Sequence, residues 1–257
     1  ATTPRELLAE ASYIAKRIDY RLPEFFGKLP RMPYGVVPVP AEIAPNYTTA
    51  SYNSAAIGGT RGGAYWLNTD SLDQRPLYEL VALTLHESVP GHHLQSALSQ
   101  ELENVPQFRR NLYLSAYGEG WALYTESLGK ELGLYNDPYQ YFGMLSSEMH
   151  RAIRLVVDTG IHSKGWTREQ AIKYSLENEA ESEASIIAEI ERYMAIPGQA
   201  LSYKIGQLKI IELRKKAETE MKDKFDVKVF HQKVLESGVM PLALLEKKIN
   251  DWISTAK

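Results

Sequence analysis

A cluster of histidines in the middle of the chain is the part of the sequence that best indicates chemistry. Three of the six histidines fall within the eight residues His86-Glu87-Ser88-Val89-Pro90-Gly91-His92-His93. A hydrolytic zinc site needs two neutral imidazoles, a third protein ligand, an open coordination position and a nearby carboxylate that accepts a proton from water. We therefore predict a Zn²⁺ site here, with Glu87 as the general base. The alternative is a helix whose histidines are incidental to any metal.

The spacing of these histidines departs from the usual zinc-binding helix. In His-Glu-x-x-His the two ligands are four residues apart and face the same way, but here position 90 is proline and the next histidines follow His86 by six and seven residues. On a regular helix, six residues turn His92 about 120° away, and seven place His93 about 10.5 Å along the axis. Pro90 removes a backbone donor and Gly91 tolerates unusual dihedral angles, so we expect a local bulge that returns one histidine to the metal. The spacing does not decide between the two.

The elements that have to position this cluster are helical. Apolar periodicity predicts a mainly α fold with a small β element near residues 50–70. Prolines at 23, 30, 33, 38, 40 and 45 exclude regular helix from the segment before that element, and Gly62–Thr69 has the composition of a strand. Helical spacing of apolar residues covers the segments 4–27, 78–100, 106–133, 138–162, 167–194, 200–223, 227–236 and 241–255.

Composition excludes several functional classes. The formal net charge is −3 and the sequence has no basic run, so it does not predict a nucleic-acid-binding surface. The absence of cysteine excludes disulfides and thiolate ligands, so a metal has to be held by histidine and carboxylate. No apolar stretch reaches the roughly 20 residues of a membrane span. The first residues have the form of a helix start, with Thr3 as N-cap, and not of a signal peptide, so the localisation stays open.

Four motifs together carry a resemblance. They are His-Glu-Ser-Val-Pro-Gly-His-His-Leu-Gln at 86–95, Glu-Gly-Trp-Ala-Leu-Tyr-Thr-Glu at 119–126, Arg-Leu-Val-Val-Asp-Thr-Gly-Ile-His at 154–162 and Pro-Gly-Gln-Ala-Leu-Ser-Tyr-Lys-Ile-Gly at 197–206. From about residue 45 onward the chain resembles a largely uncharacterised bacterial domain family with a His-Glu-x-x-Pro-Gly-His-His signature. That family is similar to the helical zinc metallopeptidases represented by carboxypeptidase Taq, thimet oligopeptidase and angiotensin-converting enzyme.

The resemblance implies a helical zinc-peptidase-like lobe. Members of that family are typically about twice this length, so residues 1–257 are expected to form a single catalytic lobe, the C-terminal part of a longer protein whose N-terminal lobe is a partner. Many members carry secretion or lipoprotein signals, which implies a periplasmic or cell-envelope location.

The resemblance also implies the ligands. In the related peptidases the second zinc histidine follows a glycine, which matches His92 and leaves His93 as an outer partner or the alternative ligand. Their third ligand is a glutamate on a later helix, and Glu119 lies 27 residues after His92. The alternative for Glu119 is a surface carboxylate, although an unpaired charge in its apolar surroundings is costly. Glu126 shares a helix face with Glu119 and is expected to support the ligands.

The catalytic groups follow from the same resemblance. Glu87 is expected to activate a zinc-bound water and then to pass its proton to the leaving amine. Tyr203 is similar in context to the tyrosine of carboxypeptidase Taq that donates to the oxyanion. Tyr193 is the second candidate, and either tyrosine could instead be a packing residue.

Two further features are interpreted as substrate-binding. Arg154, Asp158 and His162 lie four residues apart on one helix face. This spacing indicates either a salt-bridged surface or a functional stripe, in which Asp158 orients a zinc histidine and Arg154 or His162 contacts substrate. The strand Gly63–Trp66, which includes Ala64, resembles the edge strand to which these peptidases add a peptide. An ordinary hairpin is the alternative.

The main functional hypothesis is zinc-dependent hydrolysis of peptide bonds in peptides or oligopeptides. A catalytically silent metal-binding or peptide-binding module on the same scaffold is the first alternative, because the six-residue spacing of the histidines is unusual. A helical interaction protein with an incidental histidine cluster is the second.

Overall fold

The structure is a computed structural model that describes residues 1–56, 58–103, 105–110 and 112–256. Within these residues the chain is mainly helical with one small sheet, as predicted. The strands are β1 (Tyr34–Pro38), β2 (Ala50–Asn53) and β3 (Gly63–Leu67). The helices are α1 (Pro4–Arg21), α2 (Leu80–Glu87), α3 (His92–Gln100), α4 (Gln107–Arg110), α5 (Ser115–Leu128), α6 (Pro138–Lys164), α7 (Arg168–Asn178), α8 (Glu183–Ala195), α9 (Ser202–Met221), α10 (Val227–Leu235) and α11 (Leu242–Ala256). None of the described helices is long and apolar enough to cross a membrane.

The sheet has the strand order β1-β3-β2, so β3 is its central strand. β1 runs parallel to β3 and β2 runs antiparallel to it. Ala64 is paired with Gly35 on one side and with Asn53 on the other. The expectation that Ala64 belongs to an edge strand open to a peptide is therefore wrong, because strands already flank β3 on both sides. β1 lies in the proline-rich segment for which no strand was predicted, and Pro38 is tolerated there as the last residue of an edge strand.

Helices α5 and α9 pack against each other at the centre of the helical core. They approach closely because Gly120 of α5 faces Gly206 of α9, and a Cβ at position 206 would lie 1.9 Å from the carbonyl oxygen of Ala116. The two helices can approach this closely because glycine has no side chain at either contact position. Glu119 adjoins Gly120, and Tyr203 lies one turn before Gly206, so this contact places two of the predicted site residues.

Three of the predicted helices are each divided in two. The segments concerned are 78–100, 106–133 and 167–194, which form the pairs α2 and α3, α4 and α5, and α7 and α8. In the third case the chain leaves the helix after Asn178, and Ser182 caps α8. The buried Glu179 side chain, which lies in that break, bonds to His150 of α6. A tertiary contact of this kind overrides helix propensity.

Candidate metal centre

The break between α2 and α3 brings two histidines of the motif to one place. Here the backbone leaves the regular ladder of hydrogen bonds: the Gly91 amide donates to the Leu85 carbonyl, and the His93 amide donates to the Ser88 carbonyl, both at 3.0 Å. A Cβ at Gly91 would lie 1.9 Å from the His86 carbonyl oxygen, so only glycine fits this close approach. The expected bulge is therefore a complete interruption between two helices.

The side chains of His86, His92 and Glu119 converge across this break. Oε2 of Glu119 lies 3.5 Å from Nε2 of His86 and 3.2 Å from Nε2 of His92, and the three ligand atoms all lie within 4.8 Å of one another. Ligand atoms about 2.1 Å from one tetrahedral zinc ion lie about 3.4 Å apart. Oε2 of Glu119 is buried and has no hydrogen-bond partner among the described residues. This donor set fits a divalent cation, which would satisfy that oxygen.

Glu126 orients the first of these histidines. Its Oε1 lies 2.7 Å from Nδ1 of His86, and both side chains are buried. Because an ionised carboxylate can only accept, Nδ1 carries a proton and donates it, so Nε2 is the nitrogen of His86 that would offer its lone pair to a cation. Carboxylates commonly hold metal-binding histidines in this way, and Glu126 lies where the sequence predicted a supporting residue.

The electrostatics of the site favour a positive charge at its centre. Burial disfavours a charged imidazole, but Glu119 and Glu126 together raise the pKa of His86 to about 10. Burial would likewise raise the pKa of the Glu119 carboxyl, yet the neighbouring His92 and His86 hold it well below its usual value. The same two carboxylates would also favour a divalent cation, which would have to displace the proton from Nε2 of His86.

His93 faces away from this centre. Its Nε2 lies 3.1 Å from the Met32 carbonyl oxygen and its Nδ1 lies 3.0 Å from the Tyr52 hydroxyl. A carbonyl can only accept, so Nε2 donates to Met32 and Nδ1 accepts from Tyr52. Burial lowers the pKa of His93 to about 4. Both nitrogens of His93 are thus used structurally, and His92 is the histidine that meets Glu119.

Glu87 and Tyr203 lie beside the centre. Glu87 is 8% exposed, and among the described residues none is hydrogen-bonded to its carboxylate. The Tyr203 ring stacks on the His86 ring, with centroids 6.2 Å apart and an interplanar angle of 22°. Its hydroxyl accepts a hydrogen bond from Nε2 of Gln199 at 3.4 Å. Tyr193, the second candidate, instead accepts a hydrogen bond from Nε of Arg154 at 2.7 Å.

Residues 1–249 match a family described as bacterial proteins of unknown function, DUF885. The chain belongs to this family. Two solved structures, each described as a “putative lipoprotein”, are similar to it. The protein from Colwellia psychrerythraea is 43% identical with a TM-score of 0.95, and the match covers 98% of this chain and 43% of that chain. The protein from Shewanella oneidensis, described as of unknown function, is 23% identical with a TM-score of 0.80, and the match covers 94% of this chain and 45% of that chain. The chain spans less than half of the length of either protein. No curated protein matches it significantly.

The polar stripe of α6 does not converge on the ligands in this DUF885 chain. Asp158 was expected to orient a zinc histidine, but its Oδ2 accepts the Gly198 amide at 3.0 Å. Asp158 is therefore engaged with the backbone, and Glu126 is the carboxylate that lies against a histidine of the candidate centre. His162 is exposed and its Nε2 donates to the Tyr193 carbonyl oxygen at 2.9 Å. Arg154 is buried, and its guanidinium carbon lies 4.7 Å from the centroid of the Tyr203 ring, where it backs that tyrosine.

Tyr113 is a site residue that sequence reasoning missed. Its hydroxyl donates to Oε1 of Glu119 at 2.7 Å. Tyr113 lies before the first residue of α5, so helical periodicity does not relate it to Glu119. Its six-residue separation from a candidate ligand carries no signal of its own, and among 16 tyrosines it does not stand out.

Proposed function

We propose that this chain carries the zinc centre of a peptidase acting on peptides or oligopeptides. His86, His92 and Glu119 hold the ion, and Glu87 is the general base. The convergence of one buried and one half-buried imidazole on a buried carboxylate oxygen that has no hydrogen-bond partner among the described residues carries the proposal. The four motifs support it through their resemblance to a bacterial family that is itself similar to helical zinc metallopeptidases.

Zinc, when bound, acts as a Lewis acid that polarises the peptide carbonyl and lowers the pKa of water. The residues of the chain perform the remaining steps. Glu87, whose carboxylate is unengaged, accepts the proton of the attacking water and passes it to the leaving amine nitrogen. The Tyr203 hydroxyl, held by ring contacts with His86 and Arg154, donates to the oxyanion that forms at the carbonyl. Glu126 keeps the proton of His86 on Nδ1.

The proposal extends to the setting of this lobe. Both similar proteins are about twice as long as the match, and each is described as a “putative lipoprotein”. We therefore propose that this lobe lies in the cell envelope and belongs to a two-lobe protein. Arg154 supports Tyr203 in this scheme and is not assigned a direct contact with peptide.

Metal content and turnover of the purified chain test the proposal. We expect about one zinc per chain by elemental analysis, and hydrolysis of a mixture of fluorogenic peptides. Glu87→Gln should retain zinc and lose turnover by about 10² to 10⁴-fold, the usual contribution of a general base. Glu212→Gln is a matched control, because Glu212 lies on the surface and pairs with Lys209. Zinc binding without any hydrolysis by the unmodified chain would favour the catalytically silent module instead.

Wild-type turnover in Glu87→Gln, or a chain that binds no zinc after metal-free purification and reloading, would refute the proposed mechanism. His86→Ala should lose zinc itself, which separates the role of a ligand from that of a base.

A further inference from the structure

The two oxygens of Glu119 have different surroundings. Oε2 faces Nε2 of His86 and of His92, and within the part of the chain that the structure describes it has no hydrogen-bond partner. Oε1 accepts the hydroxyl of Tyr113 at 2.7 Å. A carboxylate can bind a cation through one oxygen or through both. In this chain one oxygen is directed toward the candidate ion and the other is occupied by a donor.

The ring of Tyr113 packs against Gly118 of α5. A Cβ built on Gly118 would lie 2.9 Å from Cε2 of Tyr113 and 3.3 Å from its hydroxyl oxygen, so the ring lies directly on the glycine. The residue is nevertheless 60% exposed, and it therefore gains little from burial of its ring. The hydrogen bond to Glu119 and the contact with Gly118 are the interactions that fix where this ring lies.

We propose that Tyr113 is a positioning residue of the metal centre, which holds Glu119 as a one-oxygen ligand and keeps a coordination position open. A donor on Oε1 competes with the cation for that oxygen, and it also prevents rotation of the carboxylate. A second carboxylate oxygen on the ion would occupy the position that a hydrolytic site leaves to water. This inference rests on the proposed metal centre and goes beyond it.

Tyr113→Phe removes only the hydroxyl and retains the aromatic ring. We expect its zinc affinity, measured by competition with a chromophoric chelator, to fall by about 10 to 100-fold. The chain loaded with Co²⁺ should also show weaker visible absorption, because a second oxygen of Glu119 converts a four-coordinate ion into a five-coordinate one. Tyr139→Phe is the control, since the Tyr139 side chain is 72% exposed and lies on α6.

Gly118→Ala provides an independent second variant. The added methyl group should displace the Tyr113 ring and weaken zinc binding to a similar extent, although alanine is the better helix former. In a Tyr113→Ala background the same change should have no further effect on zinc affinity, because the ring that it displaces is gone.

The inference is overturned if Tyr113→Phe binds zinc within twofold of the unmodified chain and leaves the Co²⁺ spectrum unchanged. It is also overturned if Gly118→Ala weakens zinc binding in the Tyr113→Ala background as much as it does alone. A chain that binds no metal overturns both the proposed function and this inference. Metal binding without hydrolysis refutes the peptidase proposal alone, because the affinity and the spectrum do not depend on turnover.

Discussion

Replacement of Gly206 by alanine tests whether the crossing of α5 and α9 sets the geometry of the candidate site. The new methyl carbon would begin 1.9 Å from the carbonyl oxygen of Ala116. Carbon-to-oxygen contacts are ordinarily no shorter than about 3.3 Å, so the helices have to separate by about 1.4 Å at this point. The obstacle is backbone, which cannot turn aside as a flexible side chain can.

Two opposing effects determine how much Gly206→Ala changes the free energy of unfolding. Overpacking of a core costs about 1–3 kcal/mol, and a collision with backbone belongs at the upper end of that range. The higher helix propensity of alanine returns about 1 kcal/mol. We expect a net loss of about 2 kcal/mol in the free energy of unfolding, which corresponds to a decrease in Tm of about 4–8 °C for a chain of this size.

The assay is thermal and urea unfolding followed by circular dichroism, combined with turnover at 25 °C. Because Gly206 is one turn from Tyr203 and faces the neighbour of Glu119, a shift of about 1 Å should also lower turnover by about 100-fold. Gly35→Ala is the control, since its Cβ would meet only Val37 at 3.9 Å. A Gly206→Ala chain with the Tm and turnover of the unmodified protein would refute the reasoning.

Three further predictions concern the centre and the pH dependence of stability. Glu126→Gln should weaken zinc binding by about 10 to 100-fold, and an unchanged affinity in a chelator titration would contradict the role of Glu126. Zinc at 100 times its Kd should raise the free energy of unfolding by about 2.7 kcal/mol, and His86→Ala should abolish this response in a thermal shift assay. Burial and the charge of Glu181 raise the pKa of Glu79 from 4.5 to about 7. Between these two values the folded chain keeps a proton on Glu79 that the unfolded chain has lost. The free energy of unfolding should therefore decrease as the pH rises from about 4.5 to about 7. Glu79→Gln should flatten that part of the urea midpoint profile, and an identical profile would count against the pKa shift.

Residue types and spacing located the histidine cluster, because metal chemistry restricts ligands to histidine and carboxylate in a chain without cysteine. The spacing did not decide between His92 and His93, whereas the family resemblance favoured His92 and supplied Glu119. The decision comes from Tyr52 and Met32, which bind both nitrogens of His93 and are far away in sequence. Contacts of this kind depend on how the sheet and its connecting segments pack against α3, so they cannot be predicted from the sequence around His93 alone.

The fold shows the same division between local and distant information. Apolar spacing predicted the helical segments well. Pro90 and Gly91 indicated a bulge but not a complete break. The break beside Glu179 was not predicted, because it depends on a contact between the Glu179 side chain and His150. The strand around Ala64 was correctly located. Its central position was not, because β1 forms in a proline-rich segment whose pairing is only visible in three dimensions. Asp158 and Glu126 were both plausible supports for a histidine, and only the packing of α5 against α2 selects Glu126.

The interruption between α2 and α3 brings together side chains that would point in different directions on a continuous helix. Its corner is closed by main-chain hydrogen bonds and by a glycine that admits no substituent, and Nε1 of Trp121 in α5 donates to the Pro90 carbonyl at 2.8 Å. The same corner between two helices of another protein would need a donor of this kind, and it would then deliver a pair of nitrogen ligands without a regular helix beneath them. Searches that insist on histidines four positions apart will pass over proteins built this way.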